Sequence, residues 1–162
     1  ATQIDLYGNI NSTMLGEDYA KPKKRFPGSG GANEVASYCW KTIIVMMHER
    51  RRFVPRVDFI TSPGYLDGSP NARERAGLPA GTGPWRVVTS KALFGFDDDS
   101  RQTTLLGVLR GFTPEQVLAE MEFKPVIAAR VEELAPPTEQ ELKILREVID
   151  PARTIIGRTG KA

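Results

Sequence analysis

Thr42-Ile43-Ile44-Val45-Met46-Met47 is β-branched or methionine at every position, with no polar residue on alternate places. A strand with one wet face alternates apolar and polar side chains. An unbroken run marks a strand covered on both faces, as in the parallel sheet of an α/β protein. Lys41 opens the run and His48-Glu49-Arg50-Arg51-Arg52-Phe53 closes it. It is far too short to span a bilayer, which takes about 20 apolar residues, and no signal-peptide pattern is visible.

Just ahead of that strand stands Phe26-Pro27-Gly28-Ser29-Gly30-Gly31-Ala32-Asn33-Glu34-Val35-Ala36-Ser37. Its glycines leave the backbone free to take positive φ and to approach a ligand closely. Ala32 to Tyr38 reads as the first turns of a helix. A glycine turn feeding a helix start leaves several backbone N–H groups unpaired and pointing one way, a nest suited to a phosphate, a carboxylate or the oxyanion of an attacked carbonyl. The alternative is a tight turn whose glycines only relieve strain. No Lys-Ser or Lys-Thr follows for a P-loop, and G-x-G-G lacks the last glycine of a dinucleotide turn.

The length, 162 residues, is that of one domain with a real core. A net charge of +2 does not by itself imply a nucleic-acid partner. The single cysteine, Cys39, excludes an internal disulfide and suits a reducing cytoplasm; beside Trp40, at the edge of an apolar run, it reads as buried and inert. Ala1-Thr2-Gln3-Ile4-Asp5-Leu6 already looks like a strand with no initiator methionine before it, so the chain is expected to begin in mid-fold.

Gln3 to Tyr7 alternates and breaks at Gly8-Asn9. Asn11-Ser12-Thr13 is a cluster of short hydrogen-bonding side chains that suits a self-satisfied turn. Gly16 to Pro27 is polar, with a basic knot at Lys21, Lys23, Lys24 and Arg25. Val57 to Ile60 reads as another short strand, and Gly64 to Pro84 as a long loop, functional or packed on another subunit. Trp85–Thr89, Ala92–Phe96 and Thr103–Leu109 form an antiparallel meander, with Asp97 to Ser100 as a turn. Thr113-Pro114-Glu115-Gln116 and Thr138-Glu139-Gln140-Glu141 are helix starts. The second helix carries an apolar stripe at Leu142, Leu145, Val148 and Ile149 and ends at Pro151. The tail from Thr154 to Ala162 is expected to be mobile.

The order of these elements resembles a known family. Gly8-Asn9-Ile10-Asn11-Ser12-Thr13, Gly28-Ser29-Gly30-Gly31-Ala32-Asn33-Glu34 and an apolar strand ending in His48-Glu49 are similar to the B (β) subunit of family I coenzyme A transferases, most of all the glutaconate CoA-transferase branch. Val57 to Leu66, Gly111 to Glu115 and Pro137 to Leu142 extend the likeness over nearly the whole chain. The resemblance implies an α/β fold with an open, mostly parallel sheet flanked by helices and a smaller antiparallel section. It implies one domain over residues 1–162 that lacks the family's N-terminal portion, and a cytoplasmic hetero-dimer or hetero-tetramer with an A (α) subunit.

The implied chemistry moves CoA from a thioester to an acceptor carboxylate, with the CoA thioester as substrate and neither a permanently bound cofactor nor a metal. A glutamate attacks the donor thioester to give an acyl-glutamyl anhydride, and the released CoA thiolate returns to form an enzyme thioester. In the family that glutamate lies upstream of the Gly-Asn-x-Asn-Ser motif, where this chain starts, so no residue here is assigned to it. Glu34 sits where the helix dipole already favours a carboxylate, and Glu49 stands beside basic residues that suit an ion pair.

By resemblance, the amides of Gly30, Gly31 and Ala32 form the oxyanion hole, and Asn9, Asn11, Ser29 and Asn33 hold the CoA arm or the acyl group. For Asn9 and Asn11 a turn-stabilising role stays equally open. His48 reads as a structural residue at a strand end. Arg50, Arg51, Arg52 and the Lys21–Arg25 knot either meet CoA phosphates or lie in solvent. Two alternatives remain: a hydrolase that cleaves a ring of a CoA-linked substrate on the same scaffold, and a non-catalytic protein that binds acyl-CoA.

Overall fold

In the computed structural model the described residues are 1–155 and 157. Two short antiparallel ladders come first, β1 (Gln3–Ile4) with β2 (Ile10–Asn11) and β3 (Met14–Leu15) with β4 (Lys24–Arg25). Helix α1 (Ala32–Tyr38) leads into β5 (Thr42–Met46), which a 3₁₀ turn at Arg50–Arg52 follows. After the single-turn helix α2 (Ala72–Arg75) come β6 (Pro84–Thr89), β7 (Ala92–Phe96) and β8 (Thr103–Leu109). Helix α3 (Pro114–Ala119), strand β9 (Val126–Leu134) and helix α4 (Glu139–Ile144), which runs on into a π turn at Leu145–Ile149, complete the order.

The main sheet has the order β5-β6-β7-β8-β9. Its two outer pairings, β5/β6 and β8/β9, are parallel, while β6-β7-β8 is the antiparallel meander expected from the sequence. The result is an α/β fold on a mixed open sheet. Each parallel pairing needs a crossover. One runs through the 64–84 segment and the other through α3, whose Thr113–Gln116 capping box forms as expected. Thr138 and Glu141 make the same reciprocal cap on α4.

One face of the sheet carries the core: Ile44, Met46, Val87, Phe94 and Leu105, packed with Ile4, Phe53, Val117 and Met121. Burying each such side chain stabilises by roughly 1.5–3 kcal/mol. His48 belongs to this core. It is 2% exposed, and its ring lies 4.6 Å from that of Phe53 and stacks on Phe94 at 6.0 Å. Nε2 faces the Val117 carbonyl at 3.0 Å and so carries the proton; Nδ1 faces the Thr89 hydroxyl at 3.2 Å. Burial lowers its pKa, so the ring is held neutral, in keeping with the structural reading.

The structure corrects several local expectations. In β5 only alternate residues are buried: Ile44 and Met46 point to the core, whereas Ile43 and Val45 are exposed. Val57 to Ile60 forms no strand: it pairs with no neighbouring strand, and the Asp58 amide donates to the Gln3 side chain instead. Cys39 is exposed, since it lies just past α1 in a corner and not inside β5. The apolar stripe of α4 is only partly covered: Leu142 and Leu145 are half-buried, while Val148 is 72% and Ile149 63% exposed. Of the tail, residues 156 and 158–162 lie outside the described residues. No helix among the described residues is long and apolar enough to cross a membrane.

Candidate functional site

Three segments meet around the glycine turn. The first is the β1–β2 corner, organised by Asp5. Its carboxylate accepts from the Tyr7 and Asn9 backbone amides at 3.1 and 3.0 Å and from the Asn9 side chain at 2.9 Å. Burial, partly offset by these donors, raises the Asp5 pKa. Asn9 then reaches the second segment: its Nδ2 donates to the Leu66 carbonyl at 2.8 Å, and its Oδ1 accepts from the amides of Gly64 and Leu66 at 2.9 and 3.2 Å. Asn11 closes the next turn. It donates to Gln3 Oε1 and the Met14 carbonyl, both at 2.6 Å, and accepts from the Thr13 amide at 3.0 Å.

Asn9 and Asn11 are 1% and 0% exposed, and both Nδ2 hydrogens of each are spent inside the chain. Of the two readings left open by the sequence, the structure supports turn stabilisation.

The glycine turn is gripped from behind. Ser12 Oγ donates to the Gly28 carbonyl and the Gly28 amide donates to the Ser12 carbonyl, each at 3.2 Å. Asn33 Nδ2 donates to the Thr61 carbonyl at 2.8 Å, so one of its polar groups is already used on the protein. The Thr61 hydroxyl in turn accepts from the Ser12 amide and shares a hydrogen bond with Thr13 Oγ1, both at 2.8 Å. The sequence suggested that Ser12 bonds within its own turn, and it did not single out Thr61. Their partners lie up to 49 residues away, and no local pattern signals such a hub.

In front, the turn is open. Gly30 sits at φ +51°, in the left-handed region, and an added Cβ at Gly30 or Gly31 would meet nothing within 4 Å. Gly31 caps α1 without any side-chain hydrogen bond. One expected donor is corrected: the Ala32 amide closes the turn on the Ser29 carbonyl at 3.0 Å and does not face outward. Among the described residues the amides of Gly30, Gly31, Asn33 and Glu34 have no hydrogen-bond partner. Helix geometry leaves such first-turn amides directed out of the N-terminus. Ser29 is half-buried on the turn itself.

The far end of α1 is held by Arg73, a residue the sequence hid in a loop. It is 4% exposed and donates to the Ala36 and Ser37 carbonyls at 3.0 and 3.1 Å, to the Gly64 carbonyl at 2.7 Å and to Thr82 Oγ1 at 2.9 Å. A cation at a helix C-terminus complements the dipole. A cleft of about 300 Å³ separates α1 from β5, with Ser12, Ala32, Val35, Ile43 and Val45 in its walls.

The other candidates have structural roles. Glu49 pairs with Arg51 and Arg52, which hold its carboxyl below the usual range, Arg51 most of all. Arg50 faces Glu122. In the basic knot, Arg25 lies over the Tyr19 ring and Lys24 over Phe26. No group of three metal-binding side chains occurs among the described residues.

The chain is similar to known proteins in sequence and in fold. The chain is 47% identical over 154 residues to the B subunit of glutaconate CoA-transferase from Acidaminococcus fermentans, covering 95% of this chain and 56% of the relative. It is 39% identical to the B subunit of 3-oxoadipate CoA-transferase from Pseudomonas knackmussii, over 90% of this chain and 55% of that one. It is 30% identical to the cholesterol ring-cleaving hydrolase IpdB subunit of Rhodococcus jostii, over 93% and 58%. The crystal structure of glutaconate coenzyme A-transferase from A. fermentans superposes with a TM-score of 0.89 at 45% identity, covering 97% of this chain and 59% of that one. The chain thus spans little more than half the length of the curated relatives it matches. The Coenzyme A transferase family model matches residues 1–120, and the chain belongs to that family.

Proposed function

We propose that residues 1–162 form a single-domain part of a CoA-transferase B (β) subunit that moves CoA between an acyl-CoA thioester and a dicarboxylic or 3-oxo acid. It works with an A (α) subunit, in the cytoplasm that the lone Cys39 suits, and takes the CoA thioester as substrate without a bound cofactor. The observation that carries this reading is the open glycine turn within a chain 47% identical to the B subunit of a glutaconate CoA-transferase.

When a carboxylate attacks a thioester, negative charge develops on the carbonyl oxygen. The Gly30 and Gly31 amides are the donors placed to receive it. Fixed donors of this kind need no reorganisation as charge develops, and losing one typically costs roughly 100- to 1,000-fold in rate. Ser12, Asn33 and Thr61 hold the turn, Asn9 and Asn11 hold the corner beneath it, and Ser29 lines the approach. No described glutamate is assigned as nucleophile: Glu49 is committed to arginines, and Glu34 sits within the first turn of α1.

The ring-cleaving hydrolase relative supports a second reading on the same scaffold, at 30% identity against 47%. Both are separated by one experiment. The protein with its A (α) partner is given a CoA thioester and a radiolabelled dicarboxylic or 3-oxo acid. Transfer predicts label in the thioester and a covalent enzyme–CoA adduct by mass spectrometry. Turnover without either supports hydrolysis, and no turnover with any acid of these classes counts against both.

A further inference from the structure

A second cavity, of about 170 Å³, is built mainly from the 64–84 segment and takes no lining residue from the glycine turn. Tyr65, Asn71, Arg73, Glu74, Thr82 and Arg101 line it. A single water needs about 10–15 Å³, so there is room for a polyatomic ligand. Arg73 and Thr82 are buried while Asn71, Glu74 and Arg101 are exposed, so the cavity runs from a buried floor to solvent. Its charge is unbalanced. Arg73 has no carboxylate within 4.0 Å among the described residues. Its Nη groups are spent on carbonyls and on Thr82 Oγ1, but its Nε–H is the one buried side-chain polar group among the described residues without a hydrogen-bond partner. A buried cation is costly when unpaired, and an orphaned buried donor calls for an explanation. Arg101 is the second cation. Its side chain makes no hydrogen bond among the described residues, and its nearest carboxylate, the fully exposed Asp98, stands 4.0 Å away. It is nonetheless fixed: its amide donates to the Asp97 carbonyl at 3.0 Å, and its guanidinium lies 5.4 Å from the Tyr65 ring centre. Tyr65 is itself anchored, its hydroxyl donating to the Pro84 carbonyl at 2.9 Å. The Asn71 side-chain amide has no partner among the described residues either. Two guanidinium groups thus face one lining carboxylate, that of the exposed Glu74.

We propose that this cavity binds a phosphate group, held by Arg101 and Asn71 on its exposed side and drawn by the Arg73 charge at its floor. A phosphate monoester carries about −1.5 to −2 charges near neutral pH, which balances two guanidinium groups better than one carboxylate does. The planar fork of Arg101 matches phosphate oxygens. Arg73 acts on the ligand through its charge, its Nε–H being sealed from solvent. The site uses no residue of the glycine turn and does not rest on the transferase reading.

The test melts the full chain in about 10 mM inorganic phosphate, glycerol phosphate or glutarate, each at ionic strength matched with chloride because salt screens exposed charges. At about ten times its dissociation constant a phosphate ligand should raise Tm by about 3–6 °C over chloride. A larger rise with inorganic phosphate assigns the free ion, and a larger rise with glycerol phosphate assigns the phosphate of a larger molecule. Arg101→Asn with Asn71→Gly removes both exposed contacts, and since the two residues sit at φ +60° and +56°, it puts in residues that tolerate the left-handed region. This variant should lose the rise, whereas Arg130→Gln, an exposed cation on β9 outside the cavity, should keep it. A second readout needs no variant: in nitrogen–proton NMR the Arg73 and Arg101 Nε–H signals should shift together and saturate at one phosphate concentration. Four outcomes overturn the proposal: no rise with either phosphate, an equal or larger rise with glutarate, a rise that survives the double variant or vanishes with Arg130→Gln, or arginine signals that do not move. No step reads turnover, so failed CoA transfer would count against the transferase reading alone.

Discussion

Gly64→Ala is the substitution the fold should tolerate least. Gly64 does not occupy the left-handed region, so the penalty is not one of backbone conformation. It is space: an added Cβ would stand closer than 3.0 Å to the Gly8 carbonyl carbon, the Tyr7 oxygen and the Asn9 nitrogen, the last at 2.5 Å. All three are main-chain atoms and cannot swing aside as a side-chain tip could. The 64–66 segment must move off the β1–β2 corner. That stretches the Gly64 and Leu66 bonds to Asn9 Oδ1, at 2.9 and 3.2 Å, and the Tyr65 amide bond to the Tyr7 carbonyl at 2.8 Å. Overpacking costs about 1–3 kcal/mol, and three weakened hydrogen bonds add on the order of 1 kcal/mol each. The expected loss is about 4–6 kcal/mol, a large share of the roughly 5–15 kcal/mol that holds a domain folded. With a urea slope of about 2 kcal/mol/M, the midpoint should drop by roughly 2–3 M. Urea titration followed by far-UV circular dichroism reads this directly. Gly31→Ala is the control, since its φ of −78° suits alanine and its Cβ would meet nothing; its shift should stay within about 0.5 kcal/mol. A Gly64→Ala midpoint within about 0.3 M of the parent would refute the close crossing of these backbones.

The glycine turn itself should separate folding from chemistry. Gly31→Val should keep the fold and the affinity for CoA but cut transfer by about tenfold or more; Gly30→Val should add about 1–2 kcal/mol of strain at φ +51°. Full turnover in both, with unchanged melting, would reduce the loop to a turn. Arg73→Met should cost about 3–5 kcal/mol, because it strips hydrogen bonds from the buried carbonyls of Ala36, Ser37 and Gly64; equal stability by denaturant titration would contradict that role. His48 is the chain's single histidine, so its ring signal in proton NMR is unambiguous and should titrate below 6.5. A folded pKa below the unfolded one means that its contribution is complete above pH 6.5 and lost as pH falls below that value. His48→Gln should flatten this fall, and a midpoint at or above 6.5 would contradict the buried neutral ring.

What the sequence carried was local chemistry. Both helix caps were legible because Thr113–Gln116 and Thr138–Glu141 satisfy each other within four residues. The meander was legible because its strands are separated by short turns. The glycine turn was legible in position but not in detail, since only coordinates reveal that Ala32 spends its amide on Ser29. Val57–Ile60 misled because its apolar residues suit a strand, while Asp58 is held by the Gln3 side chain, 55 residues away in the chain. Arg73 was invisible for a related reason. In sequence it is one arginine in a polar loop, and its burial depends on carbonyls from α1 and the 63–64 segment meeting at one point.

The same contrast explains how the site is built. Donors that stabilise a developing oxyanion must be fixed before the reaction, yet the groups that fix them must not occupy the space the substrate needs. Here Ser12 grips the turn only at Gly28, Asn33 reaches back to the Thr61 carbonyl, and the Thr61 hydroxyl holds the Ser12 amide. The Gly30 and Gly31 amides stay outside that network. A side-chain cap on α1 would satisfy its first-turn amides and stabilise the helix by about 1 kcal/mol, and Gly31 forgoes it. Arg73 supplies compensation at the other end of the helix, where its charge meets the free carbonyls. Stability is thus placed at the C-terminus of α1, while its N-terminus is left open.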